Sequence, residues 1–587
     1  MCGIFAYLGP KNNAGDIVLE GLKSLEYRGY DSWGVVVKKQ DDSLFIKKQV
    51  GKIGEAQLPK LSAKVAIGHT RWATHGGVTE NNAHPHVDCL KKIVVVHNGI
   101  FENYEYFKKE LEKNGHNFIS ETDTEVFSHL LEERLKKSSD YRQTILDTFK
   151  DAQGLNALII FIPEENKFYA IKNGSPLVFG VNEKTKEYFL ASDYAGILTH
   201  TNEVYFLEDN ELLTIDTSGY KLFDLSGANK KFKFLKLDYK MESLTLGSYP
   251  HYMIKEINEQ PKILLNIAKT QKQQIEQLAE KVKEAYGTYL IGCGTAYYAC
   301  LAGTYLFSKI AKRHINASSG SEFSYLEDFL KKTSLIIALS QSGETIDLIS
   351  PLKKAKEKGT KIIAITNVLG SSLYRMADYR MLLQAGPEKC VLATKSFTAK
   401  IAILLLLSYA LNGGYDEGSK DLLRAISEIE KLIKLEQLKK IAAKLSDVQH
   451  VYILGRGSSY ATALESALKI KEVSYIHAEG FAAGELKHGV IALVEKGTPV
   501  IVYNPEDETY EDTQSSAHEV KARGAYVIGI SSKNSSAFDE FIQVENCGEA
   551  TIIPNVVVAQ LLGYYLALAK GLDPDKPRNL AKSVTVK

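Results

Sequence analysis

The sequence predicts a strand-rich α+β domain followed by two tandem α/β domains with parallel sheets. Three observations carry this: short strands dominate residues 2–240, apolar strands alternate with long helices beyond residue 260, and one strand–turn–helix pattern recurs in that second part. A chain of 587 residues exceeds what one hydrophobic core usually serves, so several domains are expected. With 44% hydrophobic and 24% charged residues it belongs to the ordinary globular class.

Seventy-two basic and 71 acidic side chains leave a formal charge of +1. That balance gives no field to attract nucleic acid or an anionic membrane, and neither is expected as a partner. The apolar run 401–411 is the longest strongly apolar stretch in this reading; a bilayer core needs about 20 residues, so it reads as a buried helix. No basic, apolar and small-residue sequence of an export signal opens the chain, so a cytoplasmic location is expected. Six cysteines (Cys2, Cys89, Cys293, Cys300, Cys390, Cys547) are too sparse for a disulfide framework and read as free thiols.

In the first domain, 2–240, residues 65–68, 93–96, 158–162 and 188–191 read as strands and 124–136 as the clearest helix. Residues 241–260 read as a linker, where Gly247 and Pro250 interrupt periodicity before a helical pattern resumes near Lys255. The α/β domains are placed at 261–430 and 431–570. The tail 571–587 has no core of its own and is stiffened by Pro574 and Pro577, so it must lean on another part of the chain.

The repeat is specific. TYLIGCGTAYYA from Thr288 matches HVYILGRGSSYATA from His450, and SLIIALSQSGETIDL from Ser334 matches PVIVYNPEDETYEDT from Pro499. In the first copy Ser340, Gln341, Ser342, Gly343, Glu344 and Thr345 follow a strand and open a helix, so hydroxyls and backbone N–H groups converge on a positive helix end. That predicts a phosphate cradle. The second copy has Asn504, Pro505, Glu506 and Asp507 there, with one donor lost and two carboxylates gained, so only the first copy should hold the anion. Gly292-Cys293-Gly294 lacks the third glycine of a dinucleotide fingerprint, and no cofactor is expected.

In the second copy, 461–473 reads as a helix with Glu465, Lys469 and Glu472 on one narrow face. Its other positions are almost all apolar, so the charges are expected inside the protein, lining a site. His488, in the following GELKHG, is the nearest neutral-pH acid/base.

Cys2 follows the initiator methionine, and a small second residue favours methionine removal. A terminal cysteine carries its own base, the α-amine, beside its nucleophilic thiol. His97-Asn98-Gly99 offers an amide side chain and a backbone N–H for an oxyanion, and Arg71 with Asp123 suits the carboxylate and ammonium of a free amino acid.

The strings CGIFAYLG, LEYRGYDS, HTRWATHG, NAHPH, VVVHNGIFENY and SETDTEV in the first half, with HYMIKEI, SQSGET, ATKSFT, EVSYIHAEGFAAGELKHG and PRNLAKSVTV in the second, run through the whole chain. In these strings the sequence resembles the isomerising glutamine:fructose-6-phosphate aminotransferase family. The resemblance implies an αββα N-terminal-nucleophile glutaminase domain followed by two sugar-isomerase (SIS) domains, with ammonia passing internally from L-glutamine to fructose 6-phosphate. It implies that Cys2, Asn98 and Gly99 act on glutamine held by Arg71, Trp72, Thr74, His75 and Asp123, with Trp72 as a gate. It places Cys293, Gly294, Thr295, Ser340, Gln341, Ser342, Thr345, Val391 and Ala581 around the sugar phosphate. It gives Lys582 a Schiff-base role, Glu472 the proton transfer between C1 and C2, His488 ring opening, and Lys469 and Glu465 supporting charge. His488 is implied to come from the neighbouring subunit of a homodimer. Ala296 and Ala393 stand where family serines are common, and losing one hydroxyl contact to a phosphate weakens binding by about 1.5–3 kcal/mol.

His84-Pro85-His86-Val87-Asp88-Cys89 has metal-ligand residue types, but no second ligand group at a recognised spacing follows it, so no metal is expected. Two other functions stay open at this level: an amidotransferase for a different ketose phosphate, and a non-catalytic sugar-phosphate sensor.

Overall fold

The computed structural model describes residues 2–237 and 245–584; Met1, residues 241–244 of the expected linker and 585–587 of the tail lie outside the described residues. Among the described residues, those up to Thr245 form one compact unit together with those from Ala581 onward, and Leu246–Leu580 form the other.

The amino-terminal unit stacks an eight-stranded and a seven-stranded sheet. The strand Gly3–Leu8 runs through the middle of the first, antiparallel to Val65–Arg71 on one side and Glu187–Ala191 on the other. Its alternation sets the layers. Ile4, Ala6 and Leu8 face the shared core, where they join Val94, Val96, Ile159 and Phe161 of the second sheet. Phe5 faces outward onto the helix Ala14–Leu25, where a Cβ on Gly21 would meet its ring at 2.5 Å. Val95, Leu158 and Ile160 of the second sheet pack under the helices Tyr104–Lys113, Asp123–Leu135 and Tyr141–Asp151. The result is the αββα sandwich. The sequence-predicted strands are Val65–Arg71, Val94–Gly99, Asn156–Ile162 and Glu187–Ala191, and the predicted helix is Asp123–Leu135.

The second unit opens with the helix Tyr252–Thr270, which starts inside the stretch expected to be linker. It then holds two five-stranded parallel sheets with one strand order. In the first, Gly287–Gly292 lies between Asn316–Ser319 and Ser334–Ser340; in the second, His450–Gly455 lies between His477–Ala482 and Pro499–Tyr503. The order reverses beside the first strand of each copy, which is where open α/β sheets bind ligands, at the strands' carboxyl ends.

The run 401–411 falls on the helix Lys395–Ala410, every residue of which is buried. The longer apolar helix is a different one. Gly548–Ala569 has the length and composition to cross a membrane, but its apolar window is 83% buried inside the protein, so it is a core helix. Pro554, Asn555 and Gln560 break its apolar run in the sequence, and its uniform burial comes from tertiary packing.

Candidate functional site

Cys2 lies at the start of the central strand, in a pocket with Arg71, Trp72, Thr74, His75, His84, His97, Asn98, Gly99, Thr122, Asp123 and Thr124. All eight amidase-side residues singled out in the sequence therefore line one cavity. The Cys2 sulfur accepts the Trp72 N–H at 3.3 Å. Thr70 fixes the strand start by accepting Gly3 N–H at 3.0 Å, and Ser192 accepts Ile4 N–H at 3.0 Å.

Asn98 is held at both ends of its amide. Its Oδ1 meets His69 Nε2 at 3.2 Å and its Nδ2 donates to the Cys2 carbonyl at 2.9 Å, which leaves a second N–H on Nδ2 for a ligand. Gly99 follows with φ +144°, and a Cβ there would lie 2.1 Å from the Leu155 carbonyl oxygen. Only glycine fits at this position of the pocket wall. Arg71 is buried and donates to the Gly77 and Gly76 carbonyls at 3.0 and 3.1 Å, fixing its guanidinium in the pocket wall. Asp123 begins the helix Asp123–Leu135, and its Oδ2 accepts Phe101 N–H at 2.7 Å.

Burial pushes the Cys2 thiol up, while the chain terminus, the Trp72 N–H and the Arg71 and Arg28 cations pull it down. Burial also pushes His69 down to about 3 and His84 well below the usual imidazole range. These neighbouring rings, stacked at 4.1 Å, are neutral and too weak as bases to activate a thiol. His69, Thr70 and Ser192, which set Cys2 and Asn98 in place, were not singled out in the sequence. Their signal is the partner each strand brings across the sheet, which is invisible before the fold.

In the second unit the turn after Gly287–Gly292 and the turn after Ser334–Ser340 sit side by side at the carboxyl ends of paired parallel strands. Gly294, at φ +53°, caps the helix Thr295–Lys309, and Thr345 caps Ile346–Glu357. Two positive helix ends thus converge. Ser340 Oγ accepts Gly343 N–H at 2.9 Å and Ser342 Oγ accepts Glu344 N–H at 3.2 Å, shaping the turn. Gly343, at φ +68°, leaves no room for a side chain, since a Cβ would lie 2.1 Å from Ser371 Oγ. Cys293 points away toward Gly320, and burial pushes its thiol up to about 11. Its side chain therefore supports the turn from behind.

The charged stripe lies on the helix Ser458–Ser474: Glu465 and Lys469 are fully enclosed as expected, while Glu472 is half-buried. Lys469 Nζ reaches Glu472 Oε2 at 2.6 Å and Glu465 Oε1 at 3.4 Å. Thr295 Oγ1 donates to Glu465 Oε1 at 3.2 Å, joining the phosphate turn of the first copy to the charges of the second. Burial pushes Glu465 up to about 7, with Lys469 opposing; Lys469 is itself raised, because its two carboxylates outweigh burial.

The tail supports the same place. Val391 N–H donates to the Asp575 carbonyl at 3.1 Å, and Asp575 Oδ2 and Oδ1 each accept, at 2.7 Å, from Tyr252 and Met253 N–H. Ala581 and Lys582 follow in the residues grouped with the amino-terminal unit. His488 ends the short helix Ala483–His488 on the exposed surface of its own chain.

The expectation of no metal at residues 84–89 rested on sequence spacing alone, and the fold brings Cys89 to residues that no spacing rule pairs with it. His86 Nε2 meets Thr122 Oγ1 at 3.1 Å and Asp88 accepts Ile93 N–H at 2.6 Å, but Cys89 faces a second ligand group formed by His116, His129 and Glu132.

An αββα sandwich with a pocket around Cys2, followed by two parallel sheets of one strand order, defines a glutamine amidotransferase fused to SIS domains. The glutamine amidotransferase domain family matches residues 69–199, and the SIS domain family matches 281–410 and 444–569. Proteins named glutamine–fructose-6-phosphate aminotransferase [isomerizing] are similar over the full length of both chains, at 41% identity in Thermococcus kodakarensis and 39% in Clostridium tetani. The C-terminal domain of glucosamine-fructose-6-phosphate aminotransferase from Francisella tularensis, a solved structure, matches at 32% identity and TM-score 0.51, covering 57% of this chain and 99% of that one. The chain belongs to the isomerising glutamine–fructose-6-phosphate aminotransferase family.

Proposed function

We propose that the protein takes ammonia from L-glutamine and transfers it to fructose 6-phosphate, isomerising the product to glucosamine 6-phosphate. The observation that carries this reading is the Cys2 pocket, where a nucleophile, two oxyanion donors, a guanidinium and a carboxylate meet. With the initiator methionine removed, the Cys2 α-amine takes the thiol proton as sulfur attacks the side-chain carbonyl of glutamine. The developing oxyanion is met by Gly99 N–H and the second N–H of Asn98 Nδ2. Arg71 and Asp123 hold the substrate's carboxylate and ammonium. The amine returns the proton to the departing nitrogen, and water then frees glutamate from the thioester.

At the second site the turns at 292–295 and 340–345 hold the phosphate. His488 of the partner subunit opens the sugar ring, and Lys582 forms a Schiff base at C2 that ammonia displaces. Glu472 then carries a proton from C1 to C2, with Lys469 and Glu465 setting the charge around it. A homodimer is part of this proposal, since an exposed His488 needs a neighbour to act on. A cytoplasmic location is also part of it, because a sugar phosphate is charged and does not cross bilayers.

Mass identification of the product from glutamine and fructose 6-phosphate tests the reaction; absence of glucosamine 6-phosphate rejects it. Cys2→Ala is expected to abolish glutamine use while sugar isomerisation remains. Mixing inactive His488→Ala and Glu472→Ala chains is expected to restore activity through mixed dimers, and no recovery despite subunit exchange rejects the shared site.

A further inference from the structure

Away from both sites, four metal-binding side chains converge within the amino-terminal unit. Cys89 stands in the turn between the strands His86–Val87 and Val94–Gly99, and His116 follows the helix Tyr104–Lys113. His129 and Glu132 are one turn apart on the helix Asp123–Leu135. Their ligand atoms all lie within 4.8 Å of one another. His116 Nδ1 and His129 Nδ1 are 3.4 Å apart, and Cys89 Sγ is 3.8 and 3.5 Å from them respectively. Glu132 Oε2 is 3.1 Å from each nitrogen. A tetrahedral zinc ion, with Zn–N near 2.05 Å and Zn–S near 2.3 Å, sets its N···N edges at about 3.3 Å and its N···S edges at about 3.6 Å. The protein already has those edges.

The outer groups fit as well. His116 Nε2 lies 2.9 Å from Glu133 Oε2, and His129 Nε2 lies 3.7 Å from Glu125 Oε1. The carboxylate behind His116 accepts a hydrogen bond from Nε2, which turns that ring's Nδ1 lone pair inward, the arrangement that orients metal-ligating histidines; the Glu125 carboxylate stands behind His129 beyond hydrogen-bond distance. Two ring nitrogens, a sulfur and a carboxylate oxygen, all of metal-ligating type, thus converge at contact distance, with both histidine side chains only 2% exposed.

We propose that Cys89, His116, His129 and Glu132 bind a zinc ion in a structural role. Sulfur and imidazole donors in a tetrahedral set suit zinc and disfavour magnesium and calcium, and four protein ligands leave no open position for substrate. The exposed Cys89 gives the ion a route from solvent. The bound ion ties the turn at Cys89 and the segment at His116 to the helix whose first residue, Asp123, lines the Cys2 pocket. This assignment does not depend on which substrate the enzyme uses.

The test is cobalt titration of the full chain after chelator stripping, in a Cys2→Ser background that removes a second, partly accessible thiol. The expected result is a thiolate-to-cobalt charge-transfer band with strong tetrahedral ligand-field bands, saturating at one ion per chain and bleached by zinc. Cys89→Ser is expected to lose the charge-transfer band. Zinc is expected to raise the unfolding temperature of the parent chain and not that of Cys89→Ser. Should Cys89→Ser fail to fold, Glu132→Gln serves instead, keeping the sulfur band but needing at least about tenfold more cobalt. Absence of the bands overturns the proposal, as does their survival in Cys89→Ser.

Discussion

In the first α/β copy the strand Ser334–Ser340 runs into a turn of hydroxyls; in the second, Pro499–Tyr503 runs into Asn504, Pro505, Glu506 and Asp507. The groups of that second turn are used locally: Asn504 Nδ2 donates to Gln514 Oε1 at 2.9 Å, Asp507 accepts Thr509 N–H at 2.8 Å, and Glu506 pairs with Lys533. The helix after the first strand differs in the opposite sense. Glu465 and Lys469 of the second copy correspond, through the aligned Gly292 and Gly455, to Ala302 and Leu306 of the first, both buried and apolar. In the proposed mechanism the hydroxyl turn of one copy holds the anion and the charged helix of the other supplies acid and base. The two copies of one fold thus divide binding from proton chemistry, with the Thr295–Glu465 hydrogen bond as their junction.

That division can be broken experimentally. Glu472→Gln removes the proton carrier of the second copy, and glucosamine 6-phosphate formation is expected to fall by about 10²–10⁴-fold with glutamate release unchanged. Equal losses of both activities would mean the helix serves more than the sugar chemistry. Lys469→Met leaves the buried Glu465 and the half-buried Glu472 without their cation and is expected to destabilise the second unit by about 3–5 kcal/mol in chemical denaturation. A near-neutral result would show the stripe to be solvated.

The pH dependence sharpens the comparison further. Glu465 has a folded pKa of about 7, above its ordinary value of 4.5, so between those limits the folded protein retains a proton that the unfolded chain releases. This group alone makes stability fall as pH rises through that window, by up to about 1.4 kcal/mol per pH unit. Lys469, raised from 10.5, contributes nothing to the slope there. Denaturation of Glu465→Gln across the same window should have a flatter slope than the parent. The smallest effect belongs to the second turn: Glu506→Gln breaks an exposed pair and should cost under about 1 kcal/mol without altering the KM for sugar phosphate.

The sheets were legible because each is written locally. Short apolar runs marked strands at 65–68 and 188–191, inside the observed Val65–Arg71 and Glu187–Ala191, and the recurrence of Gly292 and Gly294 at Gly455 and Gly457 marked the duplicated domains. The helix Ser458–Ser474 was legible for a related reason, since charges among apolar neighbours on every side must be enclosed. What the sequence hid is non-local. Cys89, His116, His129 and Glu132 follow no ligand spacing, because a strand turn, a loop and a helix bring them together. The role of His69 in aiming Asn98 is likewise a cross-sheet relation, and the span-like helix Gly548–Ala569 is identified as core only by what surrounds it.

The Asp575 carboxylate takes the place of a local cap for Tyr252 and Met253, at a separation of 323 and 322 residues. During synthesis these two leading amides therefore have only water to bond until nearly the whole polypeptide has emerged from the ribosome. The central strands of the glutaminase sandwich find their partners far sooner, because Gly3–Leu8, Val65–Arg71 and Glu187–Ala191 all lie in the first third of the chain.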